Sequence, residues 1–149
     1  MTVPDLTDHL GYWLRQLSNH VSHAFARRLG DQGVTVAEWA LMRVLYDEAP
    51  IAPSRLAARM GLTRGAVTKL ADRLAAKALL DRTAHAEDGR AQTLALTEAG
   101  RAFVPRLAAL ADANEAACFA HLSDADRATL ARILKDSVRR LGVTAIAID

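Results

Sequence analysis

The chain has 149 residues, enough for one domain with a real core and too few to hold a second, catalytic domain beside it. Apolar residues make up 51% and aromatic residues only 5%, a balance that favours closely packed helices over a sheet sandwich. The net charge of +2 hides an imbalance, because Arg55 to Arg106 holds ten Lys/Arg against five Asp/Glu while the rest holds nine against twelve, so the middle suits a polyanion unless it is simply a solvated face.

Residues 1–10 lack a basic segment followed by an apolar stretch, and no run approaches the roughly 18 apolar residues of a membrane span, which reads as a cytoplasmic chain. Leu6, Leu10, Trp13, Leu14, Leu17, Val21, Phe25 and Leu29 recur in steps of three and four, so the spacing predicts one long amphipathic helix from Leu6 to Leu29. Gly30, Gly33 and Thr35 break and restart the chain. Val36 to Glu48 is apolar on most sides, as a helix buried in a bundle must be.

Pro53 suits a first helical turn, where its missing N–H is no loss, and opens a short helix to Met60. Gly61 and Leu62 make a tight connection to a helix that Thr63 can cap and whose buried stripe is Val67, Leu70 and Leu74. At 100° per residue its opposite face carries Gly65, Thr68, Lys69, Asp72 and Ala76, flanked by Arg64 and Arg73. Asp81 to His85 and Gln92 to Leu96 read as two strands of a hairpin whose tip contains Asp88-Gly89, a strong turn signal.

Thr97 can cap the next helix, with apolar positions from Phe103 to Leu122 and a kink expected at Pro105. Ser123 and Asp126 have capping-box spacing and open a last helix, striped by Leu130, Ile133, Leu134, Val138 and Leu141 and closed at Gly142. The state of the segment from Val143 to Asp149 is left open. The fold class that follows is mainly α, with a winged helix-turn-helix core, a two-stranded β-wing and flanking dimerisation helices at both ends.

Each part of that order has a use on DNA. A major groove about 12 Å wide admits one helix, whose first side chains then reach base edges. Gly65 and Ala66 permit close approach, Arg64, Thr68 and Lys69 present donors, and the free N–H groups of the helix start attract phosphate. Arg90 at the hairpin tip is placed for a narrow, A·T-rich minor groove. The apolar stripes of the first and last helices need burial that the short core cannot supply, which points to a homodimer reaching half-sites roughly 34 Å apart; a monomeric bundle closed on itself is the alternative.

The run Ile51 to Leu80, with Met60-Gly-Leu-Thr-Arg-Gly-Ala-Val-Thr-Lys69 at its centre, followed by Asp88-Gly-Arg90 and Leu96-Thr-Glu-Ala-Gly100, resembles bacterial regulators of the MarR family. The resemblance spans Leu6 to about Leu141. It implies a sequence-specific, double-stranded DNA-binding regulator, a homodimeric repressor on a pseudo-palindromic operator, released by a small, often aromatic effector. It assigns Arg64, Gly65, Thr68, Lys69 and Arg73, with the capping Thr63, to the recognition helix, Ser54 and Arg55 to phosphates, and Arg90 to the wing. Residues 1–32 and 123–149 would dimerise, 34–97 would bind DNA and 98–122 would link them. Two departures stand out: Ala78 replaces the usual glycine that ends the recognition helix, and Ala52 replaces a usual Ser/Thr cap.

Trp13, Leu17 and Trp39 are the effector-pocket candidates, with plain core packing as the other reading of each tryptophan. Cys118 reads as a buried, inert thiol. His9, His20 and His23 lack a cysteine partner and ordered spacing, so no metal and no cofactor is expected. Phosphate loops, metal-spaced His/Glu pairs and a nucleophile with its base are missing from the sequence, which argues against an enzyme. A winged-helix protein adaptor without DNA is the remaining rival, and salt-dependent duplex affinity separates the two.

Overall fold

The computed structural model describes residues 1–48, 50–85 and 88–148, with the side chains of 85 and 88–91 outside that description. The first helix, α1 (Leu10–Gly30), starts later than its apolar stripe. A 3-10 turn, Leu6–Asp8, precedes it, and His9 between them is extended. The cause is local: the Asp8 carboxylate accepts the Asp5 N–H at 2.8 Å, and the Trp13 indole donates to the Thr7 carbonyl at 2.9 Å, which holds residues 5–8 across the helix start.

Thr35 and Glu38 cap α2 (Val36–Tyr46) reciprocally, each side chain accepting the other's backbone N–H. This helix is the post of the core, burying Leu41, Met42 and Leu45. It stops at Tyr46, short of the expected Glu48, and the freed Glu48 pairs with Arg59 of α3 (Pro53–Met60). Gly61, at φ +66°, turns the chain into α4 (Arg64–Ala76), where Thr63 Oγ1 accepts the Ala66 N–H at 3.1 Å. The inward stripe is Val67, Leu70, Ala71 and Leu74.

β1 (Leu80–His85) and β2 (Asp88–Leu96) pair antiparallel with Leu80 opposite Leu96 and Thr83 opposite Thr93. The second strand begins at Asp88 rather than the expected Gln92, so pairing extends almost to the tip, past an irregularity at Ala84/His85. Ile51 adds a bridge on the other edge, exchanging both backbone bonds with Leu94. Pairing there covers the inner edge of the hairpin and anchors its base to α3.

α5 (Glu98–Phe119) is capped by Thr97 and runs on through Pro105, with Val104 and Leu107 buried on either side of it. Gly100 lets it lie against the end of α4: a Cβ there would come 2.2 Å from the Leu79 carbonyl oxygen. Ser123 caps α6 (Asp124–Arg140) through the Asp126 N–H, but the reciprocal half of the expected box does not form among the described residues. After Gly142 the chain returns to the core, and the Ile146 N–H donates to the Met60 carbonyl at 3.0 Å. Residues 143–148, left open by the sequence, are thus irregular but docked.

The core lies between α2, α3, α4, the hairpin base and the first half of α5, closed by Leu29 and Val34. Truncating any of its fully buried leucines to alanine should cost about 2–5 kcal/mol.

Candidate nucleic-acid interface

The inward pinning of α4 leaves one face outward. Thr63, Arg64, Gly65, Thr68, Lys69 and Arg73 are all exposed, and so are Ser54 and Arg55 in the first turn of α3. Arg55, Arg64, Lys69 and Arg73 form no ion pair among the described residues, whereas Arg43, Arg59, Lys77 and Arg82 each do. The four cations on this face therefore keep their charge for a polyanion.

Gly65 has no packing reason to be glycine. A Cβ there would meet nothing within 4 Å and its backbone is ordinary helix, so its smallness serves no internal contact and leaves bare backbone in the first turn of α4 facing outward. The Thr68 hydroxyl donates to the Arg64 carbonyl at 3.0 Å and keeps its lone pairs outward.

Three ties hold this face rigid. Asp72 on α4 pairs with Arg82 on β1, joining helix to wing. Lys77 at the helix end donates to Glu38 Oε2 at 2.6 Å and to the Gly33 carbonyl at 2.7 Å, and that carboxylate is buried. Thr97 Oγ1 donates to the Ala78 carbonyl at 2.8 Å, joining it to α5. The Lys77–Glu38 tie was readable in principle, since Thr35-x-x-Glu38 is a capping box, but its partner lies 39 residues on. Arg90 belongs to β2, just beyond the hairpin tip, and its side chain lies outside the described residues.

A cavity of about 570 Å³ opens between α1, α2 and α5, walled by Phe25, Val36, Trp39, Asn114, Phe119 and Ile146 among others. Trp39 is therefore at the cavity, while Trp13 and Leu17 lie away from it, exposed on the first half of α1. They share that exposure with Leu10 and Leu14, and α6 exposes Ile133, Leu134 and Val138 at 43–47% with Leu141 at 79%. Apolar residues this contiguous on two helices are an unfinished interface. Cys118 is half-buried rather than buried as expected. Among the described residues no three His, Cys, Asp or Glu side chains gather as a metal site, and no helix is long and apolar enough to cross a membrane.

Comparison with known proteins agrees with this geometry. The sequence profile of the MarR family matches residues 32–91, from just after α1 into β2. The chain is 28% identical over 136 residues to a putative transcriptional regulatory protein for the hcr operon of Thauera aromatica, covering 91% of this chain and 82% of that one. It is 25% identical over 132 residues to the transcriptional repressor YetL of Bacillus subtilis, covering 87% and 79%. A crystal structure of a probable transcriptional regulator from Pseudomonas aeruginosa superimposes with a TM-score of 0.76 at 28% identity, over 89% of this chain and 98% of that one. The outward cationic helix, the wing and these relatives agree: residues 32–91 match the MarR family, and the chain is similar over most of its length to transcriptional regulators.

Proposed function

We propose that two copies of this chain bind one pseudo-palindromic duplex, each laying α4 in a major groove, and repress transcription until a small molecule enters the cavity between α1, α2 and α5. The observation that carries the reading is the exposed face of α4, pinned by its buried opposite stripe, on which Arg64, Lys69 and Arg73 stay unpaired among the described residues. Arg64, Gly65, Thr68 and Lys69 meet base edges. Ser54, Arg55, Thr63 and Arg73 meet phosphates, helped by the N–H groups at the start of α4, and Arg90 enters the minor groove.

Residues 1–32 and 123–149 pair the subunits, 34–97 bind DNA and 98–122 link the two. The apolar faces of α1 and α6 support that pairing, because a second copy would cover Leu10, Trp13, Leu14 and Leu17 together with Ile133, Leu134 and Val138. The chain acts by occupying DNA, without chemistry of its own, and works in the cytoplasm where its operator is.

The test is selection of bound duplexes from a random pool with the purified protein. Inverted repeats with half-site centres about 34 Å apart are expected. Recovery of unrelated sequences would withdraw the specific-regulator reading, and absence of duplex affinity even at low salt would turn it into a protein adaptor.

A further inference from the structure

Asn114, on α5 at the cavity wall, is 4% exposed. Its Nδ2 donates to the Val21 carbonyl at 3.2 Å, but its Oδ1 has no hydrogen-bond partner among the described residues. An acceptor this buried and unsatisfied is costly, more so than a leucine of similar shape would be. Burial of a half-satisfied carboxamide in a mostly apolar wall makes sense if something that enters the cavity supplies the missing donor.

The charges of the lining argue about the rest of that molecule. Arg43 is the one cation among the lining residues, and its Nη1 is already paired with Asp47 at 2.6 Å. Asp112 and Glu115 line the cavity too. A carboxylate ligand would meet two like charges and one committed cation, so a neutral ligand is favoured. Phe25, Trp39, Phe119 and Ile146 supply flat apolar surface, and about 570 Å³ suits a molecule of one to three rings.

The remaining wall is unusual in origin. Ile146 and Ala147 come from the segment after α6, which is fastened to the helix-turn-helix itself. The Ile146 N–H bonds the Met60 carbonyl, and Ala145 sits so close to Gly61 that a Cβ on that glycine would come 2.7 Å from the Ala145 Cα. The same few residues close the cavity on one side and touch the turn between α3 and α4 on the other.

Resting on the reading of this cavity as the effector site, we propose that it takes a neutral ring compound carrying a hydrogen-bond donor, anchored on Asn114 Oδ1 and held under residues 143–148 as a strap that transmits occupancy to the helix-turn-helix. The cavity is formed with the strap already docked, so the ligand adds contacts to Ile146 and Ala147 and tightens the strap on Met60. By linkage, strap and ligand strengthen each other by one common factor.

The probes are 2-naphthol, 2-methoxynaphthalene, which lacks the donor, and 2-naphthoate, which adds a charge, titrated by fluorescence against the full chain. Wild type should prefer 2-naphthol by at least tenfold over either analogue. Asn114→Leu should bring 2-naphthol and 2-methoxynaphthalene within about threefold of each other while melting no lower than wild type, a gain a merely structural asparagine would not give. Ile146→Pro, which deletes the N–H that bonds Met60, and removal of residues 144–149 should each weaken 2-naphthol about tenfold. Saturating 2-naphthol should slow hydrogen exchange at the Ile146 amide by a similar factor. Tighter binding of 2-naphthoate, or an unchanged preference in Asn114→Leu, overturns the ligand class. Undiminished 2-naphthol affinity in both strap variants overturns the strap and leaves the effector site standing, whereas no binding of any probe to wild type overturns both.

Discussion

The end of α4 contains a backbone strain that one substitution should relieve. Leu79 N–H bonds the Leu74 carbonyl and Ala78 N–H bonds the Ala75 carbonyl, the paired bonds of a Schellman ending that requires a left-handed residue at position 78. Ala78 obliges at φ 59°, alone among the described non-glycine residues. The same pair of bonds ends α3, where Gly61 takes the left-handed position, and α6, where Gly142 does. For an L-residue that conformation costs about 1–2 kcal/mol, and glycine returns roughly 0.4–1 kcal/mol through its freer unfolded chain. The Ala78 methyl is exposed, so its loss removes no buried contact. Ala78→Gly should therefore stabilise the chain by about 0.5–1 kcal/mol, a rise of roughly 1–4 °C in thermal melting for a chain of this size. The Thr97 bond to the Ala78 carbonyl remains, so the position of α4 and its DNA affinity should hold within about twofold. An Ala78→Gly protein that melts at or below wild type would refute the reasoning.

Other consequences are measurable with the same protein. Lys77→Ala leaves the buried Glu38 carboxylate without its cation and should cost about 2–3 kcal/mol in urea unfolding; a loss below 0.5 kcal/mol would mean the pair does not hold α4 to α2. Arg55→Ala removes one phosphate contact per subunit, so the slope of log K against log salt for a dimer on its operator should become about 2 units shallower, with affinity falling equally on all sequences. Lys69→Ala should instead cost about 1–3 kcal/mol on the selected operator and relax preference at one base pair per half-site, and a uniform loss across sequences would move Lys69 to the phosphate group. Leu134→Asp on the exposed stripe of α6 should yield monomers by sedimentation without lowering helix content, and a variant that still sediments as a dimer would clear α6 of that role.

Local chemistry was the legible part of this chain. Thr63, Thr97 and Ser123 announce helix starts, Gly61 and Gly142 announce ends, and each of these caps is found where its residue type places it. The cationic face of α4 was equally legible, since a buried Val67-Leu70-Leu74 stripe leaves Arg64, Thr68 and Lys69 nowhere to go but out. The misses have two causes: one local side-chain bond that competes with the helix, and partners distant in sequence. Asp8 turning back on Asp5 breaks a stripe that periodicity alone carries through to Leu6. Pairing of Leu94 with Ile51 concerns residues more than forty apart. The docking of residues 143–148 depends on a bare glycine surface at 61 that no pattern within the segment itself encodes.

The ties around α4 also say how a ligand could act on it. Asp72 to Arg82 binds the helix to the wing, Lys77 to Glu38 binds its end to α2, and Thr97 and Gly100 bind the residues after it to α5. With its inner stripe in the core as well, α4 cannot shift alone without breaking a buried pair or opening packed leucines, each a loss of about 2–5 kcal/mol. A small neutral molecule gains less than that from one hydrogen bond and a few ring contacts. The cheaper motion is of the lobe as a unit against α1 and the far half of α5, along the boundary where the cavity lies and where the strap from α6 crosses. With each half-site fixing one lobe, as proposed, a change of tilt that leaves every internal contact in place would set the two α4 helices out of register with the grooves of a single duplex.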